Sequence, residues 1–222
     1  MTSLTPLPSR LTIEVVFDFV CPWCYLGIRR LGMLLARRQD LDVALSWRPF
    51  LLNPDMPRTG MPRLDYLIRK FGTEDRAKRL QATIAELGTM EAIEFDFAAI
   101  RETPDSINAH RLVHEAAKTG VADALVTAIF RAHFVEGKDI GNTAVLADLA
   151  ARAGLNEATA LRFLEQNEDA ELVYAENLRA HRLGINGVPC FIIGGEHAIS
   201  GAQEIEVLER LIDLAASTSK GH

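Results

Sequence analysis

The two ends of the chain carry hydrophobic patterns that predict β-strands. Residues 11–20, LTIEVVFDFV, form a short run of β-branched and aromatic side chains, which is typical of a buried strand. Residues 41–48, LDVALSWR, alternate apolar with other side chains and predict a second strand, which Pro49 stops. Near the other end, residues 188–193 and 197–199 predict two strands that a tight glycine turn would join as a hairpin.

Two helices are predicted beside these strands. In residues 25–38, apolar side chains are separated mainly by basic ones, as in an amphipathic helix. After the last strand, residues 200–203, SGAQ, predict a capping box at the start of a second helix. The inward stripe of this second helix consists of Ile205, Leu208, Leu211, Ile212 and Ala215.

The middle of the chain, from about residue 56 to residue 183, contains a succession of helix signals and few strand-like runs. The predicted helices span residues 64–71, 76–87, 105–118 and 121–135, and two more begin at the N-cap candidates Asn142 and Asn156. The glycines predicted to end helices here are Gly72, Gly88, Gly120 and Gly154.

The two ends thus supply a β-α-β unit and a β-β-α unit, separated by helices. A single sheet that unites both ends is the simplest architecture. We therefore predict an α/β domain built from residues 1–55 and 184–222, with an all-helical insertion at residues 56–183.

The composition is that of an ordinary folded protein. Hydrophobic residues make up 48% of the 222 positions and charged residues 24%, which allows a sizeable core. The net charge of −6 argues against a broad surface for nucleic acid. No stretch approaches the roughly 18 uncharged apolar residues that would span a bilayer, and residues 1–10 lack the pattern of a secretory signal. We therefore predict a cytoplasmic protein without nucleic-acid or membrane partners.

The motif Cys21-Pro22-Trp23-Cys24 lies where the first strand meets the first helix, in a chain with three cysteines. It is either a disulfide staple, half of a metal site or a redox centre. A reducing compartment weakens the first interpretation, because structural disulfides are rare there. Zinc usually needs four ligands, so His110 and His114 would have to complete the set. An ordinary surface or core role is favoured for these histidines, and no metal is predicted.

The redox interpretation gains from the position of the motif. A cysteine at the exposed start of a helix meets unpaired backbone N–H groups and the positive end of the helix dipole, which stabilise its thiolate. We therefore expect Cys21 to form a mixed disulfide as the nucleophile, and Cys24, one turn further in, to resolve it. Trp23 would serve either as a hydrophobic lid over substrate or as a residue packed on the domain surface.

Two motifs, FDFVCPWCYLG at residues 17–27 and GVPCFIIGG at residues 187–195, resemble the DsbA-like branch of the thioredoxin superfamily. Three further stretches resemble its FrnE-type subgroup: SINAHRLVHEAA at 106–117, FVEGKDIGN at 134–142 and ISGAQ at 199–203. The resemblance spans nearly the whole chain. It implies a thioredoxin-like fold with a large helical insertion, which is the layout that the hydrophobic pattern predicts.

The resemblance also implies roles for individual residues. Cys21 would be the nucleophile and Cys24 its partner, while Pro189 would be a cis-proline. Val188 would offer its backbone to an extended substrate; without the resemblance, Val188-Pro189 is only the entry to a strand.

Asp18 lies three residues before Cys21. Its side chain would either relay a proton from the thiol or bond to backbone groups of the strand–helix turn, and the second role is favoured.

Cys190 departs from the family pattern, which usually has another residue type after the cis-proline. This thiol would either exchange disulfides with the CPWC motif or lie in the core, where free cysteines are commonly buried. The core position is favoured, so Cys190 stays outside the predicted catalytic set.

The predicted function is that of a thiol-disulfide oxidoreductase or isomerase that acts on protein or peptide dithiols. Its redox-active disulfide would need no other cofactor, with glutathione as a candidate co-substrate. One alternative is a glutathione-dependent enzyme of the kappa transferase or 2-hydroxychromene-2-carboxylate isomerase type, although such relatives carry a serine at the corresponding site. The other alternative is a non-enzymatic metal-binding or holdase module. The sequence does not determine whether the protein oxidises, reduces or isomerises its substrates, nor does it determine the oligomeric state.

Overall fold

The structure, a computed structural model, describes residues 10–166 and 169–219 of the chain. Six strands and nine helices follow one another in this part of the chain. They are β1 (Leu11–Phe17), α1 (Pro22–Arg37), β2 (Val43–Pro49), β3 (Met61–Pro62), α2 (Arg63–Phe71), α3 (Glu74–Met90), β4 (Glu102–Thr103), α4 (Ile107–Ala117), α5 (Ala122–Phe134), α6 (Thr143–Ala153), α7 (Glu157–Glu165), α8 (Ala170–Arg182), β5 (Cys190–Ile193), β6 (His197–Ser200) and α9 (Ile205–Ser219).

A four-stranded sheet unites the two ends of the chain, as the sequence predicts. Its order is β2-β1-β5-β6, in which β1 runs parallel to β2 and antiparallel to β5. The parallel pair is joined through α1, because parallel strands need a long crossover. Val16, near the end of β1, lies opposite Cys190, the first residue of β5. The CPWC motif, which follows β1, and Pro189, which precedes β5, therefore leave the sheet side by side.

Both faces of β1 are covered, which explains its almost unbroken apolar run. Val15 and Phe17 belong to the core cluster that also contains side chains of α1. Val16, on the opposite face, packs in a separate cluster with Cys190 and with Ala180 of α8.

The helical segment packs against the same core as the sheet. One cluster of buried side chains extends from β1 through α1 to Phe130 of α5 and Leu146 of α6, and α8 packs on β2. The division into residues 1–55 with 184–222 and an insertion at 56–183 stays a prediction. Within the described ranges, no helix has both the length and the apolar composition needed to cross a membrane.

Several predicted helix boundaries are confirmed. The Asn142 side chain accepts hydrogen bonds from the N–H groups of Ala144 and Val145 at the start of α6, and Asn156 accepts one from Thr159 at the start of α7. Gly154 ends α6 in the left-handed conformation that glycine adopts without steric cost.

Two other local predictions are wrong. Gly88 lies inside α3 instead of ending it; a Cβ atom there would meet the Phe95 ring at 2.5 Å, so the glycine permits close packing. Ser200 is the last residue of β6 and forms no capping box, because α9 begins only at Ile205. By contrast, β2 ends at Pro49, as the sequence predicts, and an edge strand tolerates this proline as its last residue.

Candidate active site

Cys21 is the N-cap residue of α1 and is 5% exposed. Its backbone is extended, Pro22 follows in the first turn, and that turn contains no acidic side chain. The carbonyl oxygen of Cys21 accepts a hydrogen bond from the N–H of Cys24 at 3.0 Å, so the first turn of α1 begins at the motif. The thiol therefore lies at the positive end of the helix dipole, where an anion is stabilised.

Cys24 lies one helical turn further on and is fully buried. Burial raises the pKa of the Cys24 thiol well above its usual value. Cys21 and the Asp18 carboxylate raise this pKa further, whereas the backbone N–H of Asp18 lowers it. Both cysteines are free thiols in the structure. The pair is thus asymmetric, with one thiol at the helix end and a protonated one behind it.

The Val188-Pro189 loop lies directly beside Cys21. The peptide bond between Val188 and Pro189 is cis, as the resemblance implies, and the Cys21 thiol donates to the carbonyl oxygen of Val188 at 3.6 Å. Gly27 of α1 makes this approach possible, because a Cβ atom there would lie 2.9 Å from Cγ of Pro189.

An apolar cavity of about 270 Å³ opens next to Cys21. Trp23, which is 36% exposed, lines this cavity together with Cys21 and Val188. Another wall comes from α2 and α3, and α2 places two cations, Arg63 and Lys70, among apolar side chains. The apolar members of that wall are Tyr66, Leu67, Phe71, Ala77, Leu80 and Ile84.

Asp18 is buried at the turn between β1 and α1. Its two carboxylate oxygens accept the backbone N–H groups of Val20 at 3.3 Å and Leu52 at 2.8 Å. The carboxylate therefore bonds to the strand–helix turn, which is the role that the sequence favours. It also lies 3.7 Å, Oδ1 to Nε2, from His110 of α4.

Several residues around the motif carry no signal in the sequence that would place them there. Arg63, Lys70 and Leu52 reach the site from segments distant in sequence, and no local pattern marks them. The sequence pairs His110 with His114 as candidate metal ligands, but His110 is buried beside Asp18 whereas His114 is exposed. Within the described ranges, no group of three or more His, Cys, Asp or Glu side chains could hold a metal ion.

Cys190 lies on the other face of the sheet from the CPWC motif. It packs with Val16, Phe50 and Ile185, whereas Cys21 and Cys24 belong to the core on the α1 side. Burial raises the pKa of the Cys190 thiol, and a hydrogen bond with Ser200 lowers it less. The favoured interpretation of Cys190 as a core thiol agrees with this position.

The sheet order and the CxxC motif at the start of α1 define a protein of the thioredoxin fold. A family model, the DSBA-like thioredoxin domain, matches residues 12–213, and the chain belongs to this family. The predicted fold class and the resemblance to DsbA proteins are thereby confirmed. The FrnE-type assignment stays a prediction.

Individual relatives agree with the family. The uncharacterized protein YwbO of Bacillus subtilis is 28% identical over 203 residues, which cover 90% of this chain and 94% of that protein. A probable DsbA oxidoreductase from Streptomyces coelicolor superposes with a TM-score of 0.84 at 28% identity, over 93% of this chain and 90% of that one. These similarities support the predicted class of DsbA-like oxidoreductase or isomerase.

A third structure shares the fold alone. A 2-hydroxychromene-2-carboxylate isomerase superposes with a TM-score of 0.70 at 19% identity, over 95% of this chain and 99% of that chain. The fold by itself therefore does not determine the chemistry.

Proposed function

We propose that the protein is a thiol-disulfide oxidoreductase or isomerase in which Cys21 and Cys24 alternate between dithiol and disulfide. The observation that carries the proposal is the asymmetry of the pair: Cys21 caps α1 beside Val188, and Cys24 lies fully buried one turn behind it. A nucleophile that lines an open cavity at a helix start, followed by a resolving thiol shielded behind it, is the arrangement that disulfide exchange requires.

The proposed reaction has two exchange steps. The Cys21 thiolate attacks one sulfur of a substrate disulfide, so that a mixed disulfide forms and the first substrate thiolate leaves. The Cys24 thiolate then attacks the Cys21 sulfur, so that the Cys21–Cys24 bond forms and the second substrate thiolate leaves. Two electrons pass from the protein to the substrate, and the reverse sequence oxidises a substrate dithiol.

Cys24 must lose its proton before the second step, although burial disfavours its thiolate. We assign the acceptor role to Asp18, whose carboxylate charge acts on the Cys24 thiol. The carboxylate would thus hold the turn through Val20 and Leu52 and also relay the proton.

We assign substrate binding to the cavity beside Cys21. Trp23, Val188 and Pro189 would hold an extended protein or peptide segment against the nucleophile. The apolar walls suit hydrophobic side chains, and Arg63 and Lys70 suit a carboxylate of a peptide thiol or of glutathione. The disulfide itself would be the only redox group, with no added cofactor or metal.

A cytoplasmic location, without nucleic-acid or membrane partners, remains part of the proposal. The scarcity of cysteine, three in 222 residues, and the net charge of −6 support it.

Thiol trapping tests the central claim. After treatment with a mild oxidant, a maleimide reagent of high mass should label two fewer thiols, and dithiothreitol should restore both. Cys21→Ser and Cys24→Ser should each abolish this change, whereas Cys190→Ser should retain it. A wild-type protein in which Cys21 and Cys24 never form a disulfide would contradict the proposal.

A glutathione-dependent transferase or isomerase is the second candidate, favoured by the shared fold and by the two cations on the cavity wall. Its discriminator is the double variant Cys21→Ser/Cys24→Ser. If this variant keeps glutathione-transfer or isomerase activity, the second candidate replaces the first.

A further inference from the structure

The proton that Cys24 must release starts from a place without direct access to water. Cys24, Asp18 and His110 are 0%, 1% and 2% exposed, respectively. Nε2 of His110 has no hydrogen-bond partner within the described ranges and lies 3.7 Å from Oδ1 of Asp18. An unpaired buried nitrogen is costly and needs an explanation.

His110 also lines a second cavity, of about 130 Å³, on the side of the molecule formed by β2, α4 and α8. This volume is large enough for several water molecules. His114, Arg48 and Glu176 line it with polar groups, and Leu172, which is 44% exposed, stands at its edge. One imidazole therefore connects the buried carboxylate with a polar cavity near the surface.

We infer that His110 relays the proton of Cys24 from Asp18 to this second cavity. The inference rests on the proposed function, because it concerns the step in which Cys24 becomes a thiolate. The proton would pass from the Cys24 sulfur to the Asp18 carboxylate and then to Nε2 of His110. The proton on Nδ1 would leave to water in the cavity, so that the imidazole ends neutral and the carboxylate ends ionised.

The geometry needs only a small movement for this transfer. The gap between Nε2 and Oδ1 must close by less than about 1 Å to reach the 2.7–3.2 Å of a hydrogen bond. The rings of Phe17 and Phe19 both pack against the imidazole, with their centroids 5.0 Å from its centroid. This apolar packing limits the imidazole to positions near Asp18.

Other titratable and charged groups surround the relay and must be considered in its pH dependence. Asp105 precedes α4 and pairs with Arg58 at 3.2 Å, and Arg63 and Tyr66 approach from α2. From α5, His133 approaches as a neutral ring, because burial lowers its pKa to about 4. Asp105, Tyr66 and His133 interact electrostatically with Asp18, but none of them lines the second cavity, whereas His110 does.

The test separates the two exchange steps by using 5,5′-dithiobis(2-nitrobenzoate) as the substrate disulfide. In a Cys190→Ser background, attack by Cys21 releases a first coloured thiolate, and ring closure by Cys24 releases a second. We expect His110→Gln to slow the second release by about tenfold or more, without changing the first, and to alter its pH profile. The exposed His181 supplies the matched control, and His181→Gln should leave both releases unchanged.

Three further variants extend the test, and Val113→Phe makes it independent of the folding of His110→Gln. Val113 lines the second cavity, so Val113→Phe should reduce its volume and should slow the second release if the proton leaves through that cavity. Asp18→Asn and the double variant Asp18→Asn/His110→Gln should be equally slow, because both residues act in one path.

The outcomes also distinguish this inference from the proposed function. Absence of a second release in the wild-type protein would overturn the proposed function itself. A normal second release in folded His110→Gln, or in Val113→Phe where His110→Gln does not fold, would overturn only the relay through His110.

Discussion

The sulfur of Cys21 lies 3.6 Å from the carbonyl oxygen of Val188, so two segments that are 167 residues apart in sequence meet at one point. The antiparallel pairing of β1 with β5 causes this meeting, because the end of one strand adjoins the beginning of the other. A change that moves either loop is therefore expected to act on the nucleophile and on the proposed substrate-binding backbone together.

Gly27→Ala should move these loops apart. The added methyl group would lie 2.9 Å from Cγ of Pro189 and 3.2 Å from the Phe191 ring, so the contact must widen. We expect a loss of about 1–3 kcal/mol in the free energy of unfolding, measured with urea, and slower attack by Cys21. Gly32→Ala, in the same helix but with nothing within 4 Å, should instead stabilise by about 0.5–1 kcal/mol. Equal effects of both substitutions would contradict this account.

Lys70→Gln should change which small disulfides react fastest. Lys70 lines the cavity beside Cys21, so its removal should lower the rate with an anionic disulfide by about two- to fivefold and leave that with a neutral disulfide unchanged. The difference should shrink at about 0.5 M salt, where exposed charges are screened. The neighbouring Arg69→Gln, outside this cavity, is the matched control; a similar rate loss there would show that only net charge matters.

The reduced protein should lose stability as the pH rises above about 8.5. The raised pKa of buried Cys24 means that the folded state keeps a proton that the unfolded chain releases near a thiol's ordinary value of about 8.5. The corresponding stability is fully present below that pH and is lost as the pH rises. Urea unfolding between pH 7 and about pH 10 should show a smaller decline for Cys24→Ala than for the wild type. Parallel declines would count against the buried thiol as the cause.

His133 should govern part of the loss of stability in acid. Burial lowers its pKa to about 4, whereas the unfolded chain binds the proton near pH 6.5. The stability that this group contributes is therefore present above pH 6.5 and is lost as the pH falls towards 4, by about 3 kcal/mol. His133→Gln should flatten the dependence of the unfolding free energy on pH in that window, and His181→Gln should not. An unchanged slope in His133→Gln would refute the assignment.

The features that the sequence determined by itself are those that depend on neighbouring residues. The strand within residues 11–20, the amphipathic helix over most of residues 25–38 and the asparagine caps at residues 142 and 156 all follow from local sterics and hydrogen bonding. The CPWC motif and the Val188-Pro189 motif can also be recognised in the sequence, where they resemble DsbA proteins, although the sequence does not show that they are in contact.

Local patterns failed where tertiary packing supplies the partner. Gly88 looks like a helix end, but the ring of Phe95 makes a glycine necessary inside α3. The capping pattern at residues 200–203 is overridden by the pairing of β6 with β5.

Only the tertiary structure decided which distant side chains surround the motif. It places His110 beside Asp18, brings Lys70 to the cavity at Cys21 and turns Cys190 to the other face of the sheet. The physical reason is that burial and charge act through space: the environment of each of these groups depends on helices and strands that are far away along the chain.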